Sequence, residues 1–107
     1  MMRMERFKSE MTKAMNQIFG QNLENIRYGT INGLIEEKED IFNIIGIANE
    51  KPHNGDFKKF MHFIEEYCKK NHKKLAFLEI HNPQLFNYLL NREYGLWTDN
   101  GLIRSFI

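Results

Sequence analysis

A single cysteine in 107 residues, Cys68, leaves no partner for an intramolecular disulfide and no CxxC clasp for a metal, which fits a reducing compartment. Its expected role is that of a small buried hydrophobe. An excess of one charge is lacking too: 15 Lys and Arg stand against 14 Asp and Glu, so the whole chain exerts no strong pull on nucleic acid or on an anionic membrane. No apolar run approaches the length that crosses a bilayer, and the opening MMRMERFKSEM places charges where a secretory signal needs an unbroken apolar core. The expectation is a soluble protein, intracellular or packaged in a particle. The four histidines, His53, His62, His72 and His81, show neither HxH nor HxxxH spacing, so no metal is expected. Nucleophile-elbow, P-loop and zinc-protease motifs are missing, as are internal repeats and linkers. The length suits one small domain with one core. Asn, Lys and Ile are abundant, a composition common in AT-rich genomes such as those of many bacteria and their phages.

The patterned segments order themselves simply. Met4, Phe7, Met11, Ala14, Met15, Ile18 and Phe19 recur at spacings of three and four, which predicts an N-terminal amphipathic helix stopped by a left-handed Gly20. Asn32-Gly33, between Thr30-Ile31 and Leu34-Ile35, predicts a hairpin turn. A third strand, from about Ile41 to Ala48, is too continuously apolar for an exposed edge and belongs in the middle of a sheet. Asp56 is placed to cap a helix with the stripe Phe57, Phe60, Met61, Ile64, Tyr67 and Cys68 inward and the pairs Glu65-Lys69 and Glu66-Lys70 outward. The segment KKLAFLEIHN then supplies a strand that a right-handed crossover makes parallel to the third. Asn82-Pro83 opens a helix with Leu85, Phe86, Leu89 and Leu90 inward and a stop at Gly95, and Asp99-Asn100-Gly101 turns a closing hairpin. The predicted order is α-β-β-β-α-β-α-β-β, a single α/β domain with a mixed sheet over residues 1–107. Residues 51–74 hold seven lysines against three acids; with Phe57, Phe60 and Tyr67 on the core stripe, this reads as a solvated helix face, and nucleic acid is not an expected partner.

That order, with the segment LAFLEIHNPQLFNYLLNREYG, resembles the GNAT family of acetyl-CoA-dependent N-acetyltransferases over roughly Asn25 to Ile107. The resemblance implies a short, degenerate member without the family's initial strand and one of its early helices, of a kind that occurs in phages and in some virions. It places the protein in the cytoplasm of a bacterium or a phage-infected host, or in a virion. In the family the loop after the fourth strand reads Arg/Gln-x-x-Gly-x-Gly/Ala and holds the CoA pyrophosphate on backbone N–H groups at a helix start. Here Gly55 matches the first glycine, Pro52 replaces the Arg or Gln, Phe57 replaces the closing small residue, and Asp56 sets a carboxylate among the donors. The cofactor contacts implied for acetyl-CoA are Ile47, Asn49, Asn54, Gly55, Asp56, Phe57 and Asn82. The family's tyrosine, which protonates the departing thiolate, falls on Leu89; Tyr88, about a hundred degrees away around a helix, is the candidate acid, with Tyr94 farther on. Glu79 and His81, on one face near a strand's C-terminal end, are the candidate bases. Because the loop departs from the pattern at three positions, the leading expectation is a GNAT-like module kept for protein contacts, as a homo-oligomer or with a host protein. Its Met-rich first helix and C-terminal strand would cover a face or edge left bare in a partner chain. The alternative is an acyl-CoA-dependent N-acyltransferase with a nonstandard loop.

Overall fold

The computed structural model describes residues 3–107. In chain order the elements are β1 (Glu5–Phe7), α1 (Glu10–Phe19), β2 (Glu24–Tyr28), β3 (Ile31–Glu37), β4 (Ile41–Asn49), α2 (Asp56–Lys70), β5 (Lys74–Phe77), α3 (Pro83–Leu90), β6 (Gly95–Thr98) and β7 (Gly101–Ser105). They build one mixed sheet of seven strands in the order β1-β2-β3-β4-β5-β7-β6. Strands β4 and β5 run parallel through the α2 crossover and the other neighbours are antiparallel. The long apolar strand β4 lies in the centre, as its composition required. No helix among the described residues is long and apolar enough to cross a membrane.

Alternation along the strands separates two faces. Ile26, Tyr28, Ile31, Ile35, Phe42, Ile44, Leu75, Phe77 and Leu102 form one buried layer, which meets Phe60, Met61, Ile64 and Cys68 of α2 and Leu89 of α3. Aromatic edges knit the layer: Tyr28 to Phe60 at 5.9 Å, Phe42 to Tyr67 at 5.6 Å and Phe77 to Tyr94 at 5.8 Å between centroids. Cys68 is part of this core, and burial pushes its thiol up to about 12. Since the thiolate is the reacting species, Cys68 should react with a disulfide reagent at pH 8 on the order of 100-fold more slowly in the native protein than after unfolding. Equal rates would contradict its burial.

Four expectations about the elements need correction. The N-terminal pattern does not begin as helix: Glu5–Phe7 pairs with Asn25–Arg27 as edge strand β1. The helix starts after Ser9, whose hydroxyl accepts from the Thr12 amide as an N-cap. The first hairpin turns at Gly29-Thr30, with Gly29 at φ 57, and Asn32-Gly33 lies inside β3. Gly33 is small there for packing, because an added Cβ would sit 3.0 Å from Ile26 Cγ1 and 3.3 Å from the Gly46 carbonyl. Glu65 is buried rather than on the wet face, bonded to Arg92 and, at 2.8 Å, to the Tyr94 hydroxyl, while Lys69 pairs with Glu66. Finally, α3 ends at Leu90 with Asn91 as C-cap, and Gly95 begins β6.

The basic excess of residues 51–74 is likewise not one patch. Lys73 is buried, donating to the carbonyls of Lys38 and Glu39 and pairing with Glu37, so it closes the β3–β4 turn.

Candidate functional site

Strands β4 and β5 stay in register only from Ile41 opposite Lys74 to Ile44 opposite Phe77, with one further bond from the Leu78 amide to the Ile44 carbonyl. At that point the register of β4 against β3 slips, so that Ile45 is the extra residue of a bulge between Ile44 and Gly46. A bulge bends its strand. Beyond it β4 continues to Asn49 against β3 alone, while the chain after β5 turns away through Leu78–Asn82 into α3. The result is a wedge-shaped opening in the middle of the sheet, at the C-terminal ends of its two parallel strands, where α/β proteins place ligands. The main-chain groups of Ile45–Asn49 that point away from β3 have no strand partner.

Two cavities occupy the wedge. The outer one, about 380 Å³, is lined by Ile31, Ile47, Asn49, Pro52, His53, Phe57, Asn82, Leu85 and Tyr88. The inner one, about 260 Å³, shares Ile47, Asn82 and Leu85 and adds Gly46, Phe77, Glu79 and His81. Ile47, Phe57, Asn82 and Tyr88 therefore line one cleft. Tyr88 faces it and stacks edge-on against Phe57 at 5.2 Å, with the Arg92 guanidinium 5.5 Å from its ring. Leu89, the position that the family count singles out, is wholly buried in the core. The rotation of one residue along α3 decides which of the two side chains reaches the cleft.

The loop from β4 to α2 is set by a polar knot. The Asp56 carboxylate accepts from the Thr30 amide and hydroxyl, both at 2.9 Å, and those bonds hold it below the usual carboxylate range. Asn54 joins the same group, and Asn49 Oδ1 lies 2.8 Å from the Thr30 hydroxyl. Three of the expected cofactor contacts, Asn49, Asn54 and Asp56, thus fasten this loop to the β2–β3 turn. Asp56 is not the N-cap of α2: Gly55 is, at φ 88 and without a side-chain bond. A carboxylate expected among the first-turn donors is instead turned away from them. The Asp56 amide is met by Asn54 Oδ1 at 3.0 Å, and no side chain accepts from the amides of Phe57 or Lys58 among the described residues. Asn82 caps α3 through its side-chain Oδ1, which accepts from the Gln84 amide at 2.8 Å.

Glu79 and His81 are not on the strand but in the turn that follows it. They lie 3.6 Å apart and are 67 and 75% exposed, open to an acceptor arriving from solvent. Glu79 has φ 53 and His53, across the cleft, has φ 68. Such left-handed backbone costs a non-glycine residue on the order of 1 kcal/mol. The other two cases, His72 and Glu93, lie two and three residues beyond the ends of α2 and α3, where a left-handed residue commonly closes a helix. Only the pair at the cleft lacks that ordinary reason. His53 reads in the sequence only as one of four unclustered histidines and not as a site residue; its place two residues before Gly55 was the available signal.

Among the described residues no three His, Cys, Asp or Glu side chains come together as a metal site would need. Comparison with family models, with curated proteins and with solved structures gives no match for this chain.

Proposed function

We propose that this chain is a GNAT-type domain that binds an acyl-CoA thioester in the wedge between β4 and β5. The observation that carries the reading is a pair of backbone features at one end of the wedge: the β4 edge Ile45–Asn49, which has no strand partner beyond β3, and the first turn of α2, where the Phe57 and Lys58 amides have no side-chain cap. An extended arm bearing amides pairs with a free strand edge, as an added strand would. A pyrophosphate fits the helix start, where free N–H groups and the helix dipole favour negative charge. Lys58 and Lys59, exposed in that first turn, add positive charge for a further phosphate. In transfer, an amine nitrogen attacks the thioester carbonyl, Glu79 or His81 takes the amine proton, and the intermediate collapses with loss of the CoA thiolate. Tyr88 returns a proton to that sulfur. Pro52 and Phe57 remain departures from the family loop, so the arm and the uncapped amides, rather than a glycine-rich cradle, supply the binding.

The measurement is titration calorimetry with acetyl-CoA, using Gly55→Trp to obstruct the loop and circular dichroism to verify that the variant folds. Micromolar binding that the variant loses supports the reading; no heat at millimolar cofactor removes it. In that case the domain is a protein-contact module, a reading favoured independently by the exposed apolar side of α1. Both readings place the protein in a bacterial or phage-infected cytoplasm or in a virion.

A further inference from the structure

Helix α1 is held to its own sheet by polar groups. Ser9 and Thr12 bond to Asn25 Oδ1, and Asn16 bonds in both directions with the Leu23 backbone, at 3.0 and 2.8 Å. Asn25 alternates with the core residues Ile26 and Tyr28, so α1 lies on the face of the sheet opposite α2 and α3. Its apolar arc takes no part in that attachment: Met11 and Ile18 are 73% exposed and Phe19 is 66% exposed, with Ala14 also outward and Met15 half-buried. An amphipathic helix normally spends its apolar side on its own core. A contiguous exposed patch of large apolar side chains marks an interaction surface.

We propose that this arc is the seam of a homodimer, in which α1 packs antiparallel on α1 of a second copy across a two-fold axis. The order of side chains in the arc is self-complementary. Read from either end, it runs large, small or medium, medium or small, large: Met11, Ala14, Met15, Ile18. An antiparallel pair sets Met11 against Ile18 of the other copy and Ala14 against its Met15, so that a small residue faces a long flexible one. Antiparallel alignment also opposes the two helix dipoles favourably. Glu10 faces the uncharged end of the other helix, and Lys13 lies on the far side of α1, so no like charges meet. Met11, Ile18 and Phe19 are each about two-thirds or more exposed, so pairing two arcs gives an interface at the small end of the specific range. That size suits a reversible dimer. The inference does not depend on what the β4–β5 wedge binds.

Sedimentation velocity between about 1 and 200 µM decides it. The wild-type chain should pass from monomer to dimer over that range, and Ile18→Glu should remain monomeric throughout, a weakening on the order of 100-fold or more. Lys13→Glu should leave the dimer intact. Because Ile18 touches solvent in the single chain, its replacement leaves the fold unchanged, which circular dichroism verifies. The orientation is read by mixing Met11→Cys with Ile18→Cys under mild oxidation: the two variants should cross-link to each other faster than either does to itself. A wild-type monomer at the highest concentration, assembly beyond a dimer, a dimer that survives Ile18→Glu, or preferential self-cross-linking each overturns the proposal.

Discussion

Phe42→Ala is expected to lower the unfolding free energy by about 3–5 kcal/mol, a third or more of what a domain this small holds in reserve. Phe42 is wholly buried on β4, between Glu37 of β3 and Leu75 of β5. The Tyr67 ring meets it edge-on at 5.6 Å, and the Arg6 guanidinium lies 5.9 Å from its centroid. Truncation removes the transfer free energy of the ring and leaves a void that the two flanking strands, each hydrogen-bonded to β4, cannot collapse to fill. The test is urea unfolding, where the midpoint should fall at unchanged slope. Leu34→Ala, half-buried on the reverse face, is the contrasting variant, with an expected loss of about 1 kcal/mol. Equal losses at the two positions would mean that the side of the sheet covered by α2 is not the main core.

Glu37→Gln is expected to cost about 1–3 kcal/mol at neutral pH and almost nothing in acid. The Glu37 carboxylate accepts from the Tyr67 hydroxyl at 2.5 Å and from Arg6 at 2.8 Å, and pairs with Lys73 at 3.2 Å. Burial works to raise its pKa, but the hydrogen bonds from Tyr67, Arg6 and Lys73 outweigh it and hold the group below the ordinary glutamate value. A folded value below the unfolded one makes the unfolded chain bind the proton more readily. The contribution is therefore complete above the unfolded value, near 4.5, and is lost as pH falls through the folded one. Stability curves of wild type and variant should accordingly converge as the pH drops from about 5 toward the folded value. A constant gap across that window would assign the loss to packing rather than charge. The same residue joins β1, β3, α2 and the Lys73 turn, so the variant should also loosen the N-terminal edge strand, visible as faster amide exchange at Glu5–Phe7.

The parts of the fold that were legible in the sequence are those whose cause is local. Asn82-Pro83 opens α3, Gly20 ends α1 with φ 65, and Asp99-Asn100-Gly101 turns the last hairpin, because capping and turn chemistry act within a few residues. The apolar run of β4 and the stripe of α2 likewise announced a central strand and a covering helix. The same local signals misled where a distant neighbour decided. Asn32-Gly33 has the chemistry of a hairpin turn, yet Ile26 on the adjacent strand needs Gly33 for close approach, and the turn falls at Gly29-Thr30. Met4 and Phe7 continue the helical spacing of α1, yet Ser9 caps the helix and β2 offers an open edge to the residues before it. Glu65 sits at a position that helix periodicity alone leaves wet, and Arg92 and Tyr94, far along the chain, bring it inside.

The candidate site divides in the same way. Sequence by itself determined that a strand, a loop with Gly55 and a helix would follow one another and that Asn82 would start α3. Periodicity, caps and glycine are properties of neighbouring residues, and they suffice for that. Only the tertiary structure decided that β4 and β5 part at the Ile45 bulge, that Thr30 draws the Asp56 carboxylate away from the α2 amides, and that Tyr88 rather than Leu89 faces the cleft. It also decided that the apolar side of α1 stays in solvent, because Asn25 and Leu23 engage the polar side instead. Each of these depends on groups brought together across the sheet, and which partner a polar side chain finds there is set by geometry that no local pattern encodes.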